Sequence, residues 1–329
     1  MPARCQAVAK KKGKYIMKVF VTGVAGQLGH DVMNELYARG YEGVGSDLAA
    51  AYSGIEDSTA VTKMPYVSLD ITDEAAVLRV LKAEKPDAVV HCAAWTAVDL
   101  AEDADKQDKV RAINAGGTAH IAAACRALDC KMIYISTDYV FDGQGSTPWQ
   151  PDCKDYKPLN VYGQTKLEGE LAVAATLKKY FIVRIAWVFG KNGKNFIKTM
   201  LNVGKTHDRL TVVDDQIGTP TYTYDLARLL VDMLETGKYG YYHATNEGGY
   251  ISWYEFAKEI FREAAALGHP EYSEERLSVV PVSTAEYGVS KAARPFNSRL
   301  DKSKLTENGF QPLPDWKDAL NRYLKEIEF

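Results

Sequence analysis

Long apolar runs are missing from this chain. None approaches the roughly 20 residues a helix needs to cross a bilayer. Charge of one sign is missing as well: the formal net charge is -3, which gives no general field to draw nucleic acid or an anionic membrane. Cysteine is scarce and unpatterned. There are five, an odd number, and Cys125 and Cys130 stand five apart, which is not a zinc-ligand interval. Cys92 and Cys125 sit in apolar surroundings. Reduced thiols in a cytoplasmic protein are the expectation. The six histidines are scattered, so they form no His-rich metal cluster.

What remains is the composition of a soluble globular chain, 46% hydrophobic and 25% charged. Its 329 residues suit two domains, or one large domain with a satellite. The first residues are basic (Arg4, Lys10, Lys11, Lys12, Lys14) around no apolar core segment. They read as a disordered extension over 1–15 rather than a secretory signal, with the fold starting near Ile16.

Strand-like Lys18 to Thr22 runs into Gly23-Val-Ala-Gly26-Gln27-Leu28-Gly29, and a helix-patterned stripe follows until Gly40. Strand, glycine turn and helix in that order point to a dinucleotide site. Gly23 permits the tight turn, Gly26 lets backbone approach a pyrophosphate, and Gly29 lets the helix pack on the strand. The free N–H groups of the helix start then face the anion. Asp47 stands about 24 residues after Gly23, where an acid would bond the adenosine ribose. No Arg follows closely to receive a ribose phosphate, which favours NADH without excluding NADPH.

The alternation continues. Tyr66 to Ile71 reads as a third strand ending at Asp70, and Asp73 to Ala83 as a helix. Asp87 to Ala94 is a nearly all-apolar fourth strand, as expected inside a parallel sheet. Ala93, Ala94, Trp95 and Thr96 at its end would line the cofactor cleft. One long helix is expected over 105–128. This rhythm predicts an α/β fold, a Rossmann-like doubly wound parallel sheet with a smaller C-terminal substrate-binding lobe. The expected division puts 16–190 plus about 209–245 in the dinucleotide-binding domain, and about 191–208 plus 246–329 in the lobe.

The chemistry concentrates downstream. The strand Lys131 to Ser136 ends in Ser136-Thr137-Asp138, and Tyr162-Gly-Gln-Thr-Lys166 opens a helix-patterned run. Residues four apart share a helix face. A fixed cation beside a phenol favours the phenolate, so Tyr162 is expected to titrate below its usual value of about 10. Tyr-x-x-x-Lys occurs three times, at Tyr162/Lys166, Tyr254/Lys258 and Tyr287/Lys291, and only the first follows a Ser-Thr strand end. Beyond Gly190 the rhythm loosens. Helices are expected over 195–203, 222–235 and 252–267, strands over 209–214 and 240–245, a turn at 218–220 and irregular chain over 277–300. The Trp253-Tyr254-Glu255-Phe256 cluster reads as core. Arg294 could fork onto a diphosphate.

Eight segments in one order carry a family resemblance: 23–29, His91 to Asp99, Ser136 to Gly143, Asn160 to Lys166, Arg184 to Gly190, Asp215 to Thr221, Ser252 to Ala257 and Arg294 to Asp301. Together they resemble the extended short-chain dehydrogenase/reductase superfamily, and within it the dTDP-4-dehydrorhamnose reductase family, over nearly all of the chain. That resemblance implies NADH- or NADPH-dependent reduction of the C4 ketone of a dTDP-4-keto-6-deoxy sugar. It implies cofactor contacts at Gly26, Gln27, Leu28, Asp47, Asp70, Ile71, Ala94, Trp95, Thr96 and Ile135. It also implies Tyr162 and Lys166 as the catalytic pair, with Lys166 on the nicotinamide ribose. Thr137 and Asp138 would touch the sugar, and Trp187 would lie in its pocket. Nucleotide-sugar dehydratases of similar sequence carry Asp-Glu after the Ser-Thr. Here Tyr139 follows Asp138, which leaves reduction without elimination.

Some members hold magnesium between acids at a dimer interface. Asp31 is the one candidate for such an acid, so no metal site is assigned, and a homodimer stays open. Two other readings stand beside reduction of this sugar. One is another nucleotide-linked keto-sugar. The other is a non-catalytic regulator like the β subunit of eukaryotic methionine adenosyltransferase, against which the intact Thr137, Tyr162 and Lys166 argue.

Overall fold

Val19, Phe20 and Val21 are consecutive and all fully buried, the signature of a strand covered on both faces. They belong to β1 (Lys18–Thr22), an interior strand of a seven-stranded sheet. A computed structural model describes residues 15–56, 59–288 and 290–329 of the chain. The basic extension expected over 1–15 lies outside the described residues except for Tyr15, whose hydroxyl donates to Asp87.

The sheet adds β2 (Glu42–Asp47), β3 (Tyr66–Ser68), β4 (Ala88–His91), β5 (Lys131–Thr137), β6 (Tyr180–Ile185) and a last strand, Gly240–His243. From one edge the order is β3, β2, β1, β4, β5, β6 and Gly240–His243, with every pairing parallel. The order reverses between β1 and β4, and that switch point is where open parallel sheets bind ligands. Alternate residues face opposite layers. Val19, Val21, Val90, Ile133 and Val183 pack with α1 (Gln27–Arg39) and the later α8 (Thr223–Leu234). Phe20, Val89, Met132 and Ile182 pack on the other side. That side is covered by α2 (Glu74–Glu84), capped by Asp73, and by α5 (Thr118–Leu128) and α6 (Val161–Thr176). Burying each such side chain contributes about 1.5–3 kcal/mol.

The helix expected over 105–128 is broken. After α3 (Val98–Ala101), it forms as α4 (Gln107–Arg111), a π-helical turn at Ala112–Gly117, and α5. Asn114 sits in that turn with its amide fully engaged, a frequent use of π geometry.

The second core lies beyond β6. Phe189, Leu201, Phe256, Ile260, Phe261 and Leu320 pack α7 (Phe196–Gly204), α9 (Trp253–Ala266) and the helix Trp316–Leu324 together. A capping box of Ser252 and Glu255 starts α9. The strand expected at 209–214 forms as Arg209–Val213, but it pairs with Ser278–Val282 outside the large sheet. The stretch 277–300, expected to be irregular, thus holds a strand. Pro281 masked it, since proline sits only at the edge of sheets. The expected turn at 218–220 links two short pairings, Ile217–Gly218 with Ile251–Ser252 and Thr221–Tyr222 with Val188–Phe189.

Candidate active site

The C-terminal ends of the parallel strands open into a cleft of about 670 Å³. Its floor at one end is the glycine turn. Gly23 has φ 73°, and a side chain there would meet the backbone nitrogen of Ala93 at 2.6 Å. The turn hangs from β2: Gly23 N–H donates to the Ser46 carbonyl at 2.8 Å, and Ala25 N–H donates to the Asp47 carboxylate at 3.0 Å. The other Asp47 oxygen accepts from Leu48 N–H at 2.8 Å.

Gly23, Gly26, Gln27, Leu28, Gly29, Asp47, Asp70, Ile71, Ala93, Ala94, Thr96 and Ile135 all line this cleft. So do Thr137, Asp138, Tyr162, Lys166 and Trp187. Trp95 does not. Its backbone is clasped by Asn114, and its indole N–H turns back to the Ala97 carbonyl at 3.1 Å. Arg294 is also outside the lining, where its guanidinium is committed to Asp99 at 2.6 Å. Of the three Tyr-x-x-x-Lys copies, only Tyr162/Lys166 reaches the cleft; Lys291 pairs with Asp103, and Lys258 lies over the Tyr254 ring.

Asn160 caps α6 by accepting from Gly163 N–H at 2.8 Å, which sets Tyr162 in the first turn. Lys166 follows one turn later, 3% exposed, and donates to the Ile135 carbonyl at 2.6 Å above the face of Tyr134. The expected depression of the Tyr162 pKa is not what this geometry produces. Burial raises the phenol above its ordinary value, and nearby Asp138 adds to the rise, while the Thr137 hydroxyl offsets part of it. Burial likewise lowers the Lys166 amine to about 7, against a smaller opposing pull from Glu170. Lys166 is turned to a carbonyl and an aromatic face, so its charge is not spent on the phenol.

Thr137 donates to Asp138 Oδ1 at 2.9 Å and accepts from Tyr139 N–H at 3.2 Å. Asp138 Oδ2 accepts from the Ser298 hydroxyl, so a residue of the smaller lobe closes the ring. Burial pushes the Asp138 carboxyl up to about 6, with Ser298 and then Thr137 holding it down. On the far side Trp187 has φ 52°, a strained conformation for a bulky residue, and stacks on Trp253 with ring centres 3.7 Å apart.

Two supporting residues escaped the sequence reading. His91 is fully desolvated, which lowers its pKa to about 3 and keeps the ring neutral. Ala93 N–H donates to Thr22 Oγ1, whose hydroxyl lies 2.7 Å from His91 Nδ1, while His91 Nε2 lies 3.1 Å from Thr118 Oγ1. Thr118 spends its proton on the Asn114 carbonyl, so His91 carries its proton on Nε2. Asn114 in turn holds Trp95 and Thr165. The chain thereby ties the glycine turn to the Tyr162 helix. The only sequence hint was a polar Asn-Ala-Gly-Gly inside an otherwise regular helical pattern.

The cleft fits a dinucleotide on its own atoms. The hydroxyls of Ser46 and Ser136 are buried, line the cleft and have no hydrogen-bond partner, so they are donors waiting for a ligand. The candidate acid for magnesium is Asp31. The Asp31 carboxylate already accepts from Thr223 and lies 3.1 Å from His30 Nδ1, and among the described residues no group of three or more His, Cys, Asp or Glu could hold a metal.

Comparison with known proteins agrees with this geometry. The family model described as RmlD substrate binding domain matches residues 17–329. The chain belongs to the dTDP-4-dehydrorhamnose reductase family. It is 36% identical over 309 residues to the spore coat polysaccharide biosynthesis protein SpsK of Bacillus subtilis, covering 94% of this chain and 97% of that one. It is 37% identical over 311 residues to dTDP-4-dehydrorhamnose reductase of Aggregatibacter actinomycetemcomitans, covering 92% and 97%. A crystal structure of dTDP-4-dehydrorhamnose reductase from Bacillus anthracis in complex with NADP superposes with a TM-score of 0.82 at 38% identity, covering 95% of this chain and all of the other. The likeness to the dTDP-4-dehydrorhamnose reductase family therefore includes both the large sheet and the smaller lobe.

Proposed function

We infer that the protein reduces the C4 ketone of dTDP-4-dehydrorhamnose to give dTDP-L-rhamnose. One observation carries this reading: Tyr162, Lys166, Thr137 and Asp138 share a single cleft with the glycine turn. NADH or NADPH, when bound, supplies the hydride. The Gly23 to Gly29 turn, Asp47, Asp70 and Ile71 would hold its adenosine diphosphate half, and Lys166 its nicotinamide ribose.

Tyr162 gives its proton to the oxygen of the ketone as charge grows there. Burial keeps that phenol loaded with its proton at neutral pH. Lys166 holds the ribose beside that phenol without bonding the phenol itself, and Thr137 positions the sugar oxygen. Tyr139, where elimination would need a second carboxylate, is a neutral phenol pushed up to about 12 by burial. Cys92, Cys125, Cys130 and Cys153 are all unpaired thiols, which supports the cytoplasm as the compartment.

The test is oxidation of NADPH or NADH by the pure protein with dTDP-4-dehydrorhamnose, followed by absorbance. Tyr162→Phe should bind cofactor as the parent does and lose roughly 10²- to 10⁴-fold in turnover. A flat trace with the parent protein and both cofactors would favour the regulatory reading. Other dTDP- or GDP-linked keto-sugars in the same assay fix the sugar.

A further inference from the structure

Five charged side chains line the cleft: Asp47, Asp70, Asp138, Lys166 and Lys194. No Arg or His is among them. A dinucleotide brings a pyrophosphate carrying two negative charges into a site with three carboxylates, so a cation near the glycine turn would add to what the helix-start N–H groups supply. Lys166 cannot serve, because it is bound to the Ile135 carbonyl beside Tyr162, at the other end of the cleft.

Lys194 sits on the loop between the strand Val188–Phe189 and α7. Two buried asparagines fasten that loop to the glycine turn on either side of it. Asn192 donates to the Ala25 carbonyl at 2.8 Å, and Asn195 donates to Gln27 Oε1 at 3.0 Å. Asn195 also caps α7 through Lys198 N–H at 3.0 Å and reaches the Tyr323 hydroxyl at 2.8 Å. The loop is therefore held beside the turn, and Lys194 lines the same cleft as Gly23, Gly26 and Gly29. Lys194 itself is exposed and has no hydrogen bond or ion pair with any described residue. An unpartnered ammonium in the lining of a cleft built to take a pyrophosphate can answer that charge.

We propose that Lys194 pairs with the pyrophosphate of the bound dinucleotide, reaching it from the loop fastened to the glycine turn. The proposal rests on the dinucleotide reading of that cleft. It also gives the smaller lobe's first loop a direct hand in cofactor affinity.

The experiment is titration of the full chain and its Lys194→Met and Lys194→Arg variants with NADPH, NADH and adenosine, by calorimetry, at low and moderate salt. Lys194→Met should weaken NADPH and NADH by the same factor, roughly tenfold. Adenosine binding should be unchanged, and Lys194→Arg should restore affinity to within about threefold. The salt dependence of NADPH binding should be shallower in Lys194→Met, because one screened contact is gone. Unchanged affinity in Lys194→Met would overturn the proposal. So would a loss confined to NADPH, which would put the ammonium on the ribose phosphate instead. Failure of the parent protein to bind either dinucleotide would remove the reading of the cleft itself, an outcome distinct from both.

Discussion

Desolvation acts on Tyr162 and Lys166 from opposite chemical sides, since it penalises a phenolate and an ammonium alike. The phenol is raised and the amine lowered, so both lean towards their neutral forms. For Lys166 this has a consequence in the stability of the cofactor-free protein. Its amine titrates at about 7 in the folded chain and at the ordinary 10.5 when unfolded. Between those values the unfolded chain binds more protons, so stability rises with pH across that window and is lost as pH falls through 7. Thermal melts from pH 7 to 9 should therefore show a rise that Lys166→Met removes; equal slopes in the two proteins would refute the assignment. The Tyr162/Lys166 pair was legible from its spacing and its place after a Ser-Thr strand end. Its electrostatics were not, because spacing says nothing about whether an ammonium faces a phenol or, as here, the Ile135 carbonyl.

Between α6 and β6 lies a charge pair with no contact with water. Arg184 forks onto Glu170 at 2.8 and 2.7 Å, and both side chains are 0% exposed. The guanidinium also donates to the Pro151 carbonyl and the Tyr156 hydroxyl, and it lies over the rings of Phe141 and Tyr241. Glu170→Ala strands that cation and should cost about 3–5 kcal/mol, read from denaturant midpoints. The pair replaced together by Glu170→Met and Arg184→Met should recover most of that loss, because no charge is left buried alone. Local pattern revealed α6 and the first strands well, since their own apolar periodicity marks them. It missed the π turn at Ala112–Gly117, which depends on Asn114 finding Trp95 and Thr165 from other segments. It missed Ser278–Val282 because Pro281 interrupts the strand pattern.

At the scale of the whole molecule, the cleft is walled by both cores. The large sheet supplies the glycine turn and the Tyr162 helix, the second core supplies Trp187 and the loop bearing Lys194, and Ser298 braces Asp138. Sequence order alone showed the doubly wound half clearly, because strand and helix alternate there in one regular rhythm. The lobe's share of the site came from folding segments far apart in the chain onto one rim. A ligand spanning that rim stabilises the entire fold. NADPH at about one hundred times its dissociation constant should add about 2.7 kcal/mol, seen as a higher melting temperature. An unshifted melt would argue that the cofactor does not bind there.

Trp187 and Trp253 lie face to face, 16° from parallel, with Trp187 in the lining of the cleft. Two indoles at that separation exchange excitation, and a reduced nicotinamide absorbs light of the wavelengths that indoles emit. Occupancy would therefore be announced by dimmed ultraviolet-excited emission from the protein itself. The same bulky ring that tolerates a left-handed backbone makes the enzyme its own gauge, readable without dye or label.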